Sequence, residues 1–208
     1  MEINEAVKNH KGRPYHIEGV TSTDLANYIK DFGCKVGVEV GVYKGEYLKT
    51  LADTGMTMFG VDPWGLYPDY PRTDSRFLKR QQFVFEHARE YLKDHTNVTL
   101  IRKISMDAVL SFPVDSIDFV YIDGNHKFKH MAEDLYEWAK RVKSGGIISG
   151  HDYYNSKDLP GGLVRCKDII DAYIKSYHIE SFYTLAGHED RNKSKSRDRW
   201  RSWFWIKP

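Results

Sequence analysis

The chain is poor in cysteine: Cys34 and Cys166 are the only two in 208 residues, with neither metal-ligand nor redox spacing. A disulfide framework and a thiolate metal site are thereby excluded, and both are expected to be reduced thiols. Long apolar runs are missing too. No stretch approaches the roughly 20 apolar residues that a membrane span requires. The opening MEINEAVKNHKG lacks the basic-then-apolar order of a secretion signal, so a cytoplasmic chain with no membrane partner is expected. Charge of one sign is absent: 31 Lys and Arg against 29 Asp and Glu leave +2, which argues against a nucleic-acid partner. No internal repeat or low-complexity linker interrupts the chain, and one domain over residues 1–208 is expected.

What is present is a globular mixture, 41% hydrophobic and 29% charged, with 14% aromatic residues, many in segments that read as loops. TSTDLANYIKDF starts with cap residues and spaces Leu25, Tyr28, Ile29 and Phe32 as a helix does. It closes an N-terminal cover segment, residues 1–33. KVGVEVGV, TMFGVD, VTLIRK, SIDFVYIDG and GIISGHDYY read as strands. Helices are expected between them in GEYLKTLADTG, FLKRQQFVFEHAREYLKDH and KFKHMAEDLYEWAKRVKSGG, and after them in VRCKDIIDAYIKSY. IESFYTLAG and RWRSWFWIKP have no helix between them and should pair antiparallel at one edge. Alternation of this kind predicts an α/β, Rossmann-like, mainly parallel seven-stranded sheet with an antiparallel terminal strand and helices on both faces.

Ligands of such sheets sit beyond the carboxyl ends of the strands, at the switch point. The first strand runs into Gly41 and Gly45, and the next ends on Asp62, about 20 residues past the turn, where a carboxylate accepts from ribose hydroxyls. The spacing is G-x-x-x-G, not the G-x-G-x-x-G of a dinucleotide site. Glu39 and Glu46 beside the turn repel phosphate and suit a ligand bearing an ammonium group.

VEVGVYKGE, IDGNH and GGIISGHDY together resemble the class I S-adenosylmethionine-dependent methyltransferases. The likeness is to the branch with D-G-x-H and G-H-D motifs, which includes metal-dependent sugar O-methyltransferases. It covers residues 34 to 153 and, in element order, the whole chain. It implies that Glu39 and Gly41 line the methionine end of S-adenosylmethionine, with Gly45 in the same turn. Asp62 would bind the ribose, and Ser105, Met106 and Asp107 of ISMDA would border the adenine. Trp64, next to the ribose acid, is a further nucleoside candidate, and Asp123 adjoins the donor.

Transfer of a methyl group to a hydroxyl requires alignment and removal of a proton. IDGNH supplies Asp123 and His126, and GHDYY supplies His151 and Asp152. The two acids are oxygen ligands suited to a hard divalent ion such as Mg²⁺. The resemblance assigns them to the metal and His126 to the base. His151 stands where the branch usually has a carboxylate; an imidazole there is a poorer Mg²⁺ ligand, which leaves a softer metal, or none, open. The structural alternatives are plain ones: Asp123 capping the next helix, His126 solvated, and His130, Glu133 and Asp134 on an exposed helix face.

PWGLYPDYPRTDSR, residues 63–76, reads as a lid-like insertion in which Tyr67, Tyr70 and Arg72 face the ligands. HEDRNKSKSRDRWR reads as a solvated hairpin tip. The leading expectation is O-methylation of a small hydroxylated acceptor such as a saccharide, with a divalent metal and a histidine base. Metal-independent N- or O-methylation is the nearer alternative. A catalytically inactive nucleoside-binding module and a nicotinamide oxidoreductase come from other classes. The sequence is compatible with a homo-oligomer and does not set its size.

Overall fold

The computed structural model describes residues 2–67, 75–156, 164–187 and 197–208. Their elements in chain order are α1 (Ile3–Asn9), β1 (Tyr15–Ile17), α2 (Ser22–Asp31), β2 (Val36–Val40), α3 (Glu46–Asp53) and β3 (Thr57–Val61). They continue with α4 (Ser75–Tyr91), β4 (Val98–Ile101), α5 (Ser105–Ala108), β5 (Ile117–Ile122) and α6 (Phe128–Arg141). β6 (Val142–Gly150), α7 (Cys166–Ser176), β7 (Tyr183–Ala186) and β8 (Arg201–Ile206) complete the series.

All eight strands form one sheet in the order β1-β7-β8-β6-β5-β2-β3-β4. Only β8 runs against its neighbours β6 and β7 among the described residues; the other pairings are parallel. The expected architecture is thus present, with two changes. An eighth strand, β1, pairs with β7 through Tyr15↔Tyr183 and Ile17↔Leu185. Three residues are too few to show a period in sequence. The terminal strands therefore do not form the sheet edge: β8 lies between β6 and β7, and β1 covers β7.

Side-chain alternation splits the core in two. Phe119, Tyr121, Ile147 and Phe204 face a cluster with residues of α1 to α4, including Leu25, Ile29, Leu48 and Leu51. Val38, Val40, Val120, Ile122 and Ile148 face the other cluster, with Leu135 and Trp138 of α6 and Ile170 and Ile174 of α7. Period-2 strands between helical layers dictate this arrangement. α2 begins with a capping box in which Thr21 Oγ1 accepts from the Asp24 amide and the Asp24 carboxylate accepts from the Thr21 amide.

Helix α6 ends at Arg141, earlier than KSGG predicts, and β6 starts at Val142. The pairing with β5 jumps from Ile117↔Val142 to Phe119↔Ile147, so the glycine pair lies in a bulge of the strand.

The chain winds outward from β2 in both directions, through β3 and β4 on one side and β5 and β6 on the other. The crevice between the carboxyl ends of β2 and β5 is the switch point, where sheets of this kind take their ligands.

Candidate active site

Gly41 directly follows β2 with φ +92°, and a Cβ there would lie 2.1 Å from the Asp123 carbonyl oxygen. Both features demand glycine: the left-handed backbone and the contact with the chain leaving β5. Gly45 precedes α3 with φ +86°, and its Cβ would meet Leu92 at 2.8 Å. The turn between them is held from β3. Asp62 Oδ2 accepts from the amides of Val42 (3.1 Å) and Tyr43 (2.9 Å), and Oδ1 accepts from the Trp64 amide at 2.7 Å. Burial raises the Asp62 pKa, opposed by those amides and by Arg102. The carboxylate has four lone-pair positions, so acceptor capacity remains for a ribose. Glu39 is wholly buried on β2, in register with Gly60 and Tyr121.

Trp64 does not open to this crevice. Its ring is 1% exposed and packs on Phe85 at 4.9 Å, while Nε1 donates to the Tyr43 carbonyl at 2.8 Å. It braces the turn from below. Arg102, which drew no attention in sequence, donates to the Trp64 carbonyl at 3.1 Å and lies over the Phe85 ring at 4.5 Å. Ser105 opens α5 and is buried, Met106 is half-buried, and Asp107 is exposed.

Asp123 leaves β5 with its amide on the Val40 carbonyl (2.7 Å), and the His151 amide, leaving β6, is on the Ile122 carbonyl (3.0 Å). Neighbouring strand ends therefore bring the two motifs together. His126 Nε2 is 2.9 Å from Asp152 Oδ2, and His151 Nδ1 is 3.0 Å from Asp152 Oδ1 and 3.8 Å from Asp123 Oδ1. Burial pushes the His126 pKa down, but the hydrogen bond and charge of Asp152, helped by Asp123, outweigh it and raise the pKa. Burial pushes Asp152 up, yet the two histidines bonded to it hold it well below the ordinary carboxylate range.

The ligand atoms of Asp123, His126 and Asp152 all lie within 4.8 Å of one another, as a shared cation requires. That set takes His126 as its nitrogen, and His151, to which the sequence pointed, lies beside the same two acids. Asp123 is not the cap of α6, whose N-cap is Lys127 without a side-chain bond. Asn125 Oδ1 instead accepts from the Lys127 amide at 3.1 Å.

Two expectations for α6 change. His130 and Asp134 are buried, not exposed, because the helix turns that face toward Tyr67 and α5. Tyr154, two residues after Asp152, is stacked on Trp200 at 4.2 Å. Tyr70, Arg72 and most of the two loops after Ser156 and Gly187 lie outside the described residues. Both cysteines are buried free thiols, each pushed up to about 12 by burial.

A parallel sheet wound both ways from a glycine turn, with an acid at the next strand's end, defines a Rossmann-like methyltransferase fold. A family model described as a methyltransferase domain matches residues 38–153, and the chain belongs to that family. It is 25% identical over 171 residues to uncharacterized protein R132 of Acanthamoeba polyphaga mimivirus, covering 78% of this chain and 71% of that one.

Among solved structures, an rRNA methylase from Streptococcus thermophilus superposes with TM-score 0.61 at 12% identity, over 92% of this chain and 99% of that one. An O-methyltransferase from Bacillus cereus, in complex with SAH, superposes with TM-score 0.57 at 13% identity, over 99% of this chain and 87% of that one. Likeness at such identity establishes the fold. Among the described residues no helix is long and apolar enough to cross a membrane.

Proposed function

We propose that the protein transfers the methyl group of S-adenosylmethionine to a hydroxyl of a small acceptor such as a saccharide, with help from a divalent metal. The observation that carries this reading is the convergence of Asp123, His126 and Asp152 at the strand ends beside the Gly41 turn. The bound SAH of the Bacillus cereus O-methyltransferase supports the donor assignment. In this reading Glu39 and the Gly41–Gly45 turn receive the amino-acid end of the donor. Asp62 accepts from the ribose, and the α5 turn from Ser105 to Asp107 borders the adenine.

Two carboxylates fit a hard divalent ion, and the neighbouring imidazole of His126 is left for the proton. The chemistry such an ion supplies is acidification of a bound hydroxyl. Asp123 and Asp152 would hold it. His126 would take the acceptor proton, and Asp152, 2.9 Å from its Nε2, would stabilise the imidazolium that forms. Asp152 is kept ionised and in place by His126 and His151. The Tyr154–Trp200 stack would wall the acceptor. The remaining step is in-line displacement at the methyl carbon, driven by alignment.

The test is calorimetric titration of S-adenosylhomocysteine into metal-free protein, repeated with Mg²⁺ and Mn²⁺, on the wild type, Asp123→Ala and Asp152→Ala. We expect product binding in the wild type and a separate metal heat lost in both variants. Product binding with no metal heat would remove the metal from the proposal, and no product binding at all would overturn the donor site.

A further inference from the structure

Asp134 is a carboxylic acid only 4% exposed, on the face of α6 turned toward α5, and no step above uses it. Two contacts define its place. Its Oδ2 lies 3.2 Å from where a Cβ on Gly124 would stand, so it packs against the backbone immediately after Asp123. Its carboxylate is also hydrogen-bonded by the Ser105 side chain.

Trp138 of the same helix also reaches Ser105. Trp138 Nε1, a donor only, gives its proton to Ser105 Oγ at 2.8 Å, leaving the hydroxyl hydrogen of Ser105 for Asp134. Trp138 and Asp134 stand one helical turn apart on α6, so one face of that helix grips the start of α5 with two polar groups. The same face touches the Asp123–Gly124 segment, which presses on Gly41. Ser105 and Gly41 belong to the two walls between which the donor is proposed to lie. An acid is an expensive residue to bury, and a purely apolar helix contact would hold α5 without it.

We propose that Asp134 is a positioning residue for the donor: it ties the α5 turn through Ser105 to the Gly124 segment, and so sets the spacing of the two walls of the nucleoside site. This rests on the donor site proposed above. Truncation removes the acceptor of the Ser105 hydroxyl and leaves both walls free to separate. Asparagine retains an oxygen that accepts the same hydrogen bond at nearly the same volume.

The experiment measures S-adenosylhomocysteine affinity at pH 7.5 for the wild type, Asp134→Ala, Asp134→Asn, Ser105→Ala, the Ser105→Ala/Asp134→Ala double variant and Ile174→Ala. The last opens a cavity in α7 and controls for destabilisation alone. We expect Asp134→Ala to weaken binding about tenfold, the scale of one buried hydrogen bond left unmade. Asp134→Asn should restore most of the affinity, and the double variant should be no weaker than the worse single one. Ile174→Ala should lose thermal stability and keep its affinity. Hydrogen exchange in Asp134→Ala should quicken at residues 104–107 and 123–126 together.

Wild-type affinity in Asp134→Ala would overturn the proposal while leaving the donor site intact. So would additive losses, or a loss matched by Ile174→Ala. If Asp134→Ala does not fold, the Asp134→Asn and Ser105→Ala pair decides: unchanged exchange at 123–126 in Ser105→Ala would overturn it equally. Absence of binding to the wild type would fail the donor reading itself, a separate result.

Discussion

At the residue scale, Gly41 and Asp134 both have little freedom, and they fail differently. A methyl group at residue 41 would stand 2.1 Å from the Asp123 carbonyl oxygen while the backbone holds φ +92°. Neither backbone can yield without moving a strand end. Gly41→Ala is therefore expected to cost about 2 kcal/mol or more in folding stability, the scale of strain at a left-handed position plus overpacking. It should also abolish S-adenosylhomocysteine binding in the fraction that folds; denaturant unfolding and calorimetry read the two effects separately. Asp134 fails through pH. Burial lifts its pKa from 3.8 to about 7, with Ser105 opposing and Glu133 adding. Between those values an unfolded chain ionises this group and the folded one does not. Its stability contribution is thus fully present below about pH 4 and is lost as pH rises toward 7. The displacement sets a ceiling of about 4 kcal/mol. The denaturation midpoint of the wild type should fall relative to that of Asp134→Asn between pH 5 and 7 and run parallel above pH 8. Parallel curves throughout would show that the acid is not displaced.

At the scale of elements, the turn from Gly41 to Gly45 is stiff because other strands supply its partners. Asp62 at the end of β3 takes two of its amides, Trp64 takes its Tyr43 carbonyl, and Arg102 after β4 pins the Trp64 carbonyl in turn. Arg102→Ala removes the last of these links and its cover over Phe85 without touching the turn. Its stability cost should be about 1 kcal/mol, and S-adenosylhomocysteine affinity should drop several-fold. Unaltered affinity would show that Asp62 alone suffices to hold the turn. This arrangement also explains what the sequence could and could not disclose. Gly41, Asp62, Asp123 and Asp152 were legible because each ends a strand whose apolar alternation is unmistakable, and parallel strands present their ends on one side. The inward turn of Trp64 was not legible: its neighbour Asp62 marks a ligand edge, and only packing on Phe85 of α4 decides the ring's direction. Asp134 was misread for the same reason. Helical spacing puts it among polar residues of α6, but α5 covers that face, and no local pattern reports such coverage. That both His126 and His151 approach Asp152, at 2.9 and 3.0 Å, depends on loop geometry beyond any spacing rule.

At the scale of the molecule, the N-terminal segment is where the sheet was hardest to foresee and where its edge is protected. Without β1, the core-facing β7 would present unpaired amides and carbonyls along Tyr183–Ala186, a short buried strand turned into an open edge. The segment adds apolar cover as well. Ile3 and Ala6 of α1 and Ile17 of β1 are buried in the cluster that includes Tyr183 and Leu185, and Tyr183 Oη donates to the His10 carbonyl at 2.9 Å. All of this lies on the far side of β8 and β6 from the switch point, so it should bear on solubility and stability more than on the donor site. Removing residues 1–17 is accordingly expected to lower the thermal midpoint by several degrees or more, since each buried aliphatic side chain lost costs on the order of 2 kcal/mol. Light scattering after size exclusion should show concentration-dependent association through the bared edge. A truncated chain that stays monomeric and keeps its midpoint would mean that β1 is an appendage to a sheet complete at seven strands.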